Sequence, residues 1–246
     1  MPRLEGLDGV ILSHVVEHVR DPVPALERMG AVLKIGGWLY VEVPDAMRYA
    51  ECLIAPFQDF NTEHINHFSL LCLENLLKMA GFEVVQGGSK TILSAPQMPY
   101  PAIWVLGRKV GPRGESPSVV PDQDLVPALV GYITASGKLL QSLDQRLQSI
   151  ISRHESLIVW GTGQLTLKLL AETCLGRASI RAFVDTNPVH QGKFLHGVPI
   201  LSPSGLAGMK DPILAASLIN QQSIIDSIGG LGISNRVYTL KEELFS

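Results

Sequence analysis

The sequence predicts an α/β fold, and three observations carry that expectation. Short unbroken apolar runs, such as Val10-Ile-Leu12 and Leu157-Ile-Val-Trp160, read as strands buried on both faces. Stretches with apolar residues at three- and four-residue steps lie between such runs. Glycine and proline punctuate the junctions. Strands alternating with helices favour parallel sheets. The chain has 246 residues, enough for one large domain or two small ones. A composition shift divides it into 1–108, a linker at 109–123, and 124–246.

Val10-Ile-Leu12 is the first strand. Asp21-Pro22 then supplies a helix cap with proline in the first turn. Val23, Leu26, Met29 and Leu33 recur at helical spacing, and Gly36-Gly37 is expected to end that helix. Trp38-Leu-Tyr-Val-Glu-Val43 is the next strand, completing a βαβ unit with a parallel sheet. Residues 45–68 show no clear periodicity but hold the aromatic and histidine residues that a lid or substrate wall would use. Ser69 caps a helix running through Met79, with Leu70, Leu73, Leu76 and Leu77 on its apolar face. Gly81 stops it, and Phe82-Glu-Val-Val85 pairs with Ile103-Trp-Val-Leu106.

Gly107 to Asp122 is rich in glycine, proline, serine and charge, which marks the linker. A long helix follows over about Asp124–His154, striped by Leu125, Leu129, Ile133, Leu140, Leu143, Leu147 and Ile151. That stripe packs on a flanking domain or on a second copy of the chain. Beyond it come a strand at Leu157–Trp160, a tight turn at Gly161-Thr-Gly163 and a helix at Leu165–Leu175. Further strands are expected at Ile180–Val184, Pro212–Ala216 and Arg236–Thr239.

Bulk properties exclude several classes. A hydrophobic fraction of 46% with 17% charged residues describes a core-forming chain. The net charge is −3 and no basic run occurs, so the footprint of a nucleic-acid binder is missing. Cys52, Cys72 and Cys174 are an odd, widely spaced set, which argues for a reducing compartment and against disulfides or a zinc site. No apolar run reaches the ~18 residues of a membrane helix, and Met1–Gly6 has no signal-peptide core. A cytoplasmic location is the expectation.

Taken in order, the strand entering Ser13-His14, the Glu17-His18 pair, the Asp21-Pro22 helix start, Leu33-Lys-Ile-Gly-Gly37 and the strand ending Val43-Pro44 resemble the second half of a class I S-adenosylmethionine (SAM) methyltransferase. The resemblance covers about residues 5–108. It implies a partial class I methyltransferase (Rossmann-like) sheet, followed by the long helix and a second Rossmann-like α/β domain. In that family the glycine-rich SAM loop lies N-terminal to this segment, so the chain is expected to be an incomplete catalytic unit. The strand at Val10–Leu12 would then be an exposed edge, covered by a partner chain, a homodimer or the C-terminal domain.

By the same resemblance Ser13, His14, Val15 and Glu17 border the methionine end and reactive methyl of SAM, and His18 lies near the acceptor. Local helix-start contacts explain Glu17 and His18 equally well. Glu63-His-Ile-Asn-His-Phe-Ser69 resembles the histidine-rich acceptor segment of sugar C-methyltransferases. Aligned on His-Phe-Ser, Asn66 stands at the family's glutamate and His64 at its tyrosine. Methyl transfer to oxygen or carbon requires loss of a proton, and histidine titrates in the right range. His67 is the first candidate base and His64 the second, with lid positioning as the alternative. A third zinc donor near these histidines is not evident.

Val159-Trp-Gly-Thr-Gly163-Gln-Leu-Thr166 reads as a dinucleotide-type turn, with Asp185 at the spacing of about 20 residues used by a ribose-binding acid. Gly161, Gly163, Gln164 and Asp185 are therefore the candidate nucleotide or substrate contacts. Residues 124–246 also resemble the Rossmann-like C-terminal domain of sugar C-methyltransferase relatives, in which NAD is not implied. Three functions follow in order. The first is a SAM-dependent methyltransferase acting on a sugar or nucleotide-linked small molecule. The second is a non-catalytic remnant or nucleotide-sugar-binding subunit. The third is an NAD enzyme, placed last because no hydride-transfer constellation is visible.

Overall fold

The computed structural model describes residues 5–95, 98–111 and 118–241. Residues 1–4 of the N-terminus and 112–117 of the expected linker lie outside them. The chain falls into two compact units, one of Met1–Leu53 with Phe57–Ala135, the other of Ile54–Pro56 with Ser136–Ser246. Among the described residues no helix is long and apolar enough to cross a membrane.

The first unit is built on a four-stranded sheet ordered β1-β2-β4-β3. Its strands are β1 (Leu7–Ser13), β2 (Leu33–Pro44), β3 (Phe82–Ala95) and β4 (Met98–Lys109). β1 and β2 are parallel, joined through α1 (Pro22–Val32), but β2–β4 and β3–β4 are antiparallel. The sheet is thus mixed rather than parallel: β3 and β4 form a hairpin, which needs no crossover. β1 is an edge strand with Ile11 74% exposed, not a strand buried on both faces. Its other apolar side chains, Leu7, Val10 and Leu12, pack on the core.

α1 stops earlier than its sequence suggests. Leu33 already has extended backbone, at φ −82° and ψ 146°. Gly36-Gly37 lies inside β2, not at a helix end. Gly36 has φ +81°, which bends the strand. A Cβ on Gly37 would lie 2.9 Å from the Lys34 carbonyl and 3.2 Å from that of Leu7. Only glycine admits this approach, and the β1–β2 register shifts beside it, between Leu7 and Gly9.

α2 (Leu70–Met79) covers the sheet. Ser69 caps it, its hydroxyl accepting from the Cys72 N–H at 3.1 Å, and Gly81 leaves it at φ +85°. Leu73, Leu76 and Leu77 meet Val41, Val43, Ile103 and Val105 in the core. The β3–β4 hairpin runs well past its expected four-residue strands. The hairpin accommodates Gly87, Gly88, Pro99 and Pro101 within its strands. A Cβ on Gly87 would lie 3.1 Å from Leu70. Pro101 sits beyond the last β2–β4 pair, and its carbonyl accepts from the Asp45 N–H at 3.0 Å.

Part of the expected linker is fixed to α2. Asn75 donates to the Val120 carbonyl at 2.7 Å, and the Ser69 hydroxyl donates to Asp122. α3 (Leu125–Ile151) has its first eleven residues in the first unit and the rest in the second. Leu125, Leu129 and Tyr132 pack with Ala46, Tyr49, Leu53 and Phe60. Leu140, Leu143, Leu147 and Ile151 join the core of the second unit. The stripe is therefore covered within the chain, except at Ile133, which is 44% exposed.

The second unit has a six-stranded sheet of order β10-β9-β5-β6-β8-β7. The strands are β5 (Leu157–Trp160), β6 (Ile180–Val184), β7 (Phe194–Leu195), β8 (Val198–Leu201), β9 (Ile213–Ala215) and β10 (Val237–Thr239). All pair in parallel except β7 with β8. β5 is buried throughout, which its unbroken apolar run requires. α4 (Gln164–Glu172) ends three residues before the expected Leu175. Thr173 is extended and caps a 3₁₀ turn at Cys174–Arg177. α5 (Gln221–Gly230) and the β7–β8 hairpin complete the unit.

Candidate active site

β1 and β2 are parallel, so their carboxyl ends lie side by side, and Ser13 pairs in register with Glu42. This is where ligands bind in open parallel sheets. The Ser13 hydroxyl donates to Glu42 Oε1 at 3.0 Å, and the Tyr40 hydroxyl donates to Oε2 at 2.7 Å. Lys90, from β3, forms an ion pair with the same carboxylate. Burial works against ionisation of Glu42, but Lys90, Tyr40 and Ser13 outweigh it and hold its carboxyl below the usual range.

The chain turns abruptly after Ser13. His14 has φ +52°, the left-handed region that residues with a Cβ seldom adopt. Its N–H donates to the Glu42 carbonyl at 2.9 Å, which holds it there. The imidazole Nδ1 lies 3.2 Å from Glu17 Oε1, and Nε2 is buried with no hydrogen-bond partner. The Glu17 bond raises the His14 pKa against the opposing effect of burial. Val15 is 41% exposed. The 3₁₀ turn Val16–His18 then buries Glu17 almost completely, with only 1% of its side chain exposed.

The histidine segment crosses this turn. Ile65 and Asn66 both donate their N–H groups to the Glu17 carbonyl, at 3.0 and 3.1 Å. The Asn66 carboxamide donates to the Val19 carbonyl at 2.6 Å and to the Val16 carbonyl at 3.4 Å. Asn66 therefore clamps one loop to the other, a role that needs an amide donor and excludes a carboxylate. His18 Nδ1 donates to the Glu63 carbonyl at 2.8 Å, since a carbonyl can only accept. The His18 and His64 rings meet at 4.9 Å between centroids. Burial pushes the His64 pKa down, and its Nδ1 is buried without a partner.

His67 lies in a different wall. Its Nδ1 is 3.2 Å from the Tyr49 hydroxyl, and Phe60 packs on the ring at 4.7 Å. Burial also lowers its pKa. Tyr49 is fully buried and burial drives its pKa far up, so it remains a neutral hydroxyl. Behind this wall Asp59 is buried, its pKa raised by desolvation against hydrogen bonds from Tyr100 and Tyr132. The Asp59 N–H donates to the Tyr132 hydroxyl at 2.9 Å. Tyr40, Glu42, Tyr49, Asp59, Lys90 and Tyr100 carry no local motif: Tyr40, Glu42, Lys90 and Tyr100 are placed by strand pairing, and Tyr49 and Asp59 by the connection between β2 and α2 and its contacts with Tyr132.

The second unit holds the other candidates. The sheet order reverses beside β5, with β6 on one side and β9 on the other, which makes a crevice at their carboxyl ends. Gly161 has φ +108° there, and a Cβ would lie 3.5 Å from the Ala216 carbonyl. Gly163 precedes α4, which Gln164 begins. Asp185 reaches back to this turn. Its Oδ2 accepts from the Thr162 N–H at 3.2 Å, from the Thr162 hydroxyl and from His190 Nδ1 at 3.1 Å. Its Oδ1 accepts from the Asn187 N–H at 2.8 Å. Burial opposes its ionisation, yet these bonds lower its pKa. The acid at the ribose position is thus engaged inside the protein.

Parallel strands whose carboxyl ends meet beside a histidine-rich segment are where open α/β sheets bind ligands. Likeness to known proteins narrows the class. Residues 5–87 match the family of methyltransferase domains. The match covers about a third of the chain and lies on the first unit. Over 200 residues, 78% of its length, the chain is 24% identical to the C-methyltransferase NovU of Streptomyces niveus, and it spans 46% of that protein. Among solved structures it is similar to a SAM-dependent methyltransferase of Thermotoga maritima, with 23% identity and a TM-score of 0.33 over 43% of this chain and 56% of that one. It is also similar to the 1,6-didemethyltoxoflavin-N1-methyltransferase of Burkholderia thailandensis, whose structure holds 1,6-didemethyltoxoflavin and S-adenosylhomocysteine. There the identity is 17% and the TM-score 0.33, over 45% of this chain and 47% of that one.

Proposed function

We propose that the chain provides the acceptor side of a SAM-dependent methyltransferase whose substrate is a sugar or a nucleotide-linked small molecule. The supporting observation is the methyltransferase-family segment at 5–87, which ends β1 and β2 beneath His14, Glu17, His18, His64 and His67. The likeness to a C-methyltransferase suggests the acceptor class.

His14 and Val15 fit one wall of a SAM site, because His14 Nε2 has no hydrogen-bond partner, with Glu42 Oε1 3.6 Å away, and Val15 exposes apolar surface. Ser13 and Glu17 fit it less directly. The Ser13 hydroxyl is given to Glu42, and the Glu17 carbonyl is taken by Ile65 and Asn66. SAM supplies, when bound, an electrophilic methyl group on sulfur. His67 is the base in this reading. With Nδ1–H donated to Tyr49 its Nε2 keeps a lone pair, and burial keeps the ring neutral near pH 7. Phe60 and Tyr49 fix the ring plane, so orientation rather than flexibility sets the direction of proton removal. In the second unit by itself, Gly161, Gly163, Gln164 and Asp185 are the contacts for a nucleotide or nucleotide-linked molecule in this reading. The internal bonds of Asp185 disfavour an NAD enzyme.

Calorimetric titration of the purified chain with SAM, and separately with NAD, tests this reading. SAM binding that weakens in His14→Ala is the expected result. A folded chain that binds no SAM would show that methyl transfer is not a property of this chain alone, and NAD binding lost in Asp185→Ala would favour the oxidoreductase reading.

A further inference from the structure

The buried carboxylate of Glu17 poses a question that methyl transfer does not answer. Its side chain is 99% removed from solvent, and Oε2 has no hydrogen-bond partner. A buried, half-unpaired carboxylate is costly unless a cation meets it. His14 contacts only Oε1. Facing the carboxylate from two different segments are His18 and His64. One donor atom from each of Glu17, His18 and His64 lies within 4.8 Å of the others.

Each histidine has a ring nitrogen not engaged in a hydrogen bond. His18 spends Nδ1–H on the Glu63 carbonyl, so Nε2 is the bare nitrogen, and it lies 3.9 Å from Glu17 Oε1. A backbone carbonyl that fixes the tautomer of an imidazole is the usual outer-shell support of a metal-binding histidine. His64 Nδ1 is buried and unpartnered. His14 stands behind Glu17 as a hydrogen-bonding support for the carboxylate.

We infer that Glu17, His18 and His64 form a site for a divalent transition metal of the zinc class. Two imidazoles and one carboxylate are the donor set that zinc accepts in sites with a remaining open position. Bonds of about 2.0–2.1 Å at tetrahedral angles place donors about 3.3 Å apart. The triangle seen here must close by up to ~1.5 Å, within reach of ring rotation by the half-exposed His18. The open position would hold water or an oxygen of the substrate, beside the strand ends. The sequence separates Glu17-His18 from His64, so the third donor is visible only once the Asn66 clamp joins the two loops.

The test is calorimetric titration of the untagged, metal-stripped chain with Zn²⁺, paralleled by Co²⁺ and its visible absorption. One Zn²⁺ per chain and a four-coordinate Co²⁺ spectrum are expected. His18→Gln, at a partly exposed position and with folding checked by circular dichroism, should weaken Zn²⁺ by more than about tenfold. Glu17→Gln should do the same with the volume of the side chain kept. His196→Asn, in the second unit, should bind as wild type. Absence of binding, retained affinity in folded His18→Gln, or loss in His196→Asn would each overturn the site. SAM is not involved in this titration, so its outcome is independent of the methyltransferase reading.

Discussion

Asn66→Asp should unfasten the first unit although it changes only an amide to a carboxylate. Asn66 donates to the Val19 carbonyl at 2.6 Å and to the Val16 carbonyl at 3.4 Å. An aspartate at neutral pH has no proton to donate and points negative charge at two carbonyl oxygens. The Val16 carbonyl keeps the Val19 N–H at 3.2 Å, so the loss falls mainly on Val19. One good hydrogen bond is worth about 1 kcal/mol, and an unsatisfied, partly buried carbonyl adds roughly 1–2. The sum is about 2–3 kcal/mol, or roughly 30- to 160-fold faster exchange of amides that open with the unit. Hydrogen exchange on β2 peptides reads this directly, with β5 peptides as the internal control. Wild-type exchange in β2 would refute the clamp. Protection lost equally in β5 would refute a local origin.

Three other outcomes are expected. Gly176→Ala places a Cβ 2.1 Å from the Leu170 carbonyl and should cost about 3 kcal/mol or more by forcing backbone movement, seen as a lower melting temperature; an unchanged one would show that the 3₁₀ turn adapts freely. Asp185→Asn should destabilise the second unit by roughly 2 kcal/mol, because one oxygen that accepts three bonds is altered, and urea unfolding with an unchanged midpoint would sink the latch. Stability of the first unit should fall as pH drops below about 6.5. There the unfolded histidines take up protons, while burial keeps His64 and His67 neutral in the fold. His14 has the opposite sign: its raised folded pKa adds stability below 6.5 that is lost as pH rises through the folded value. His67→Gln should therefore flatten the acid loss between about pH 7 and 5 and His14→Asn should steepen it, both read from urea midpoints. Identical slopes in all three proteins would refute the assignment.

Local signals fixed much of what the chain forms. Ser69 as a cap, Gly81 as a stop and Leu157–Trp160 as a buried strand follow from side-chain chemistry within a few residues. The resemblance to methyltransferases marked Ser13–His18, His64 and His67, because a strand end and a histidine cluster are each contiguous in sequence. Where local and tertiary demands conflict, the sequence misleads. Gly36-Gly37 reads as a helix stop but admits the close approach of β1.

The sequence by itself determined the α/β class, a segment that resembles methyltransferases and the supply of histidines at its strand ends. Tertiary structure alone decided what each polar group meets. It set His64 beside Glu17 and His18, His67 beside Tyr49, Glu42 beside Lys90, and Asp185 against Thr162. The physical reason is range. Capping and periodicity act over a few residues and are written locally, whereas pairing of β1 with β2 and of β3 with β4 joins segments whose sequences hold no record of each other.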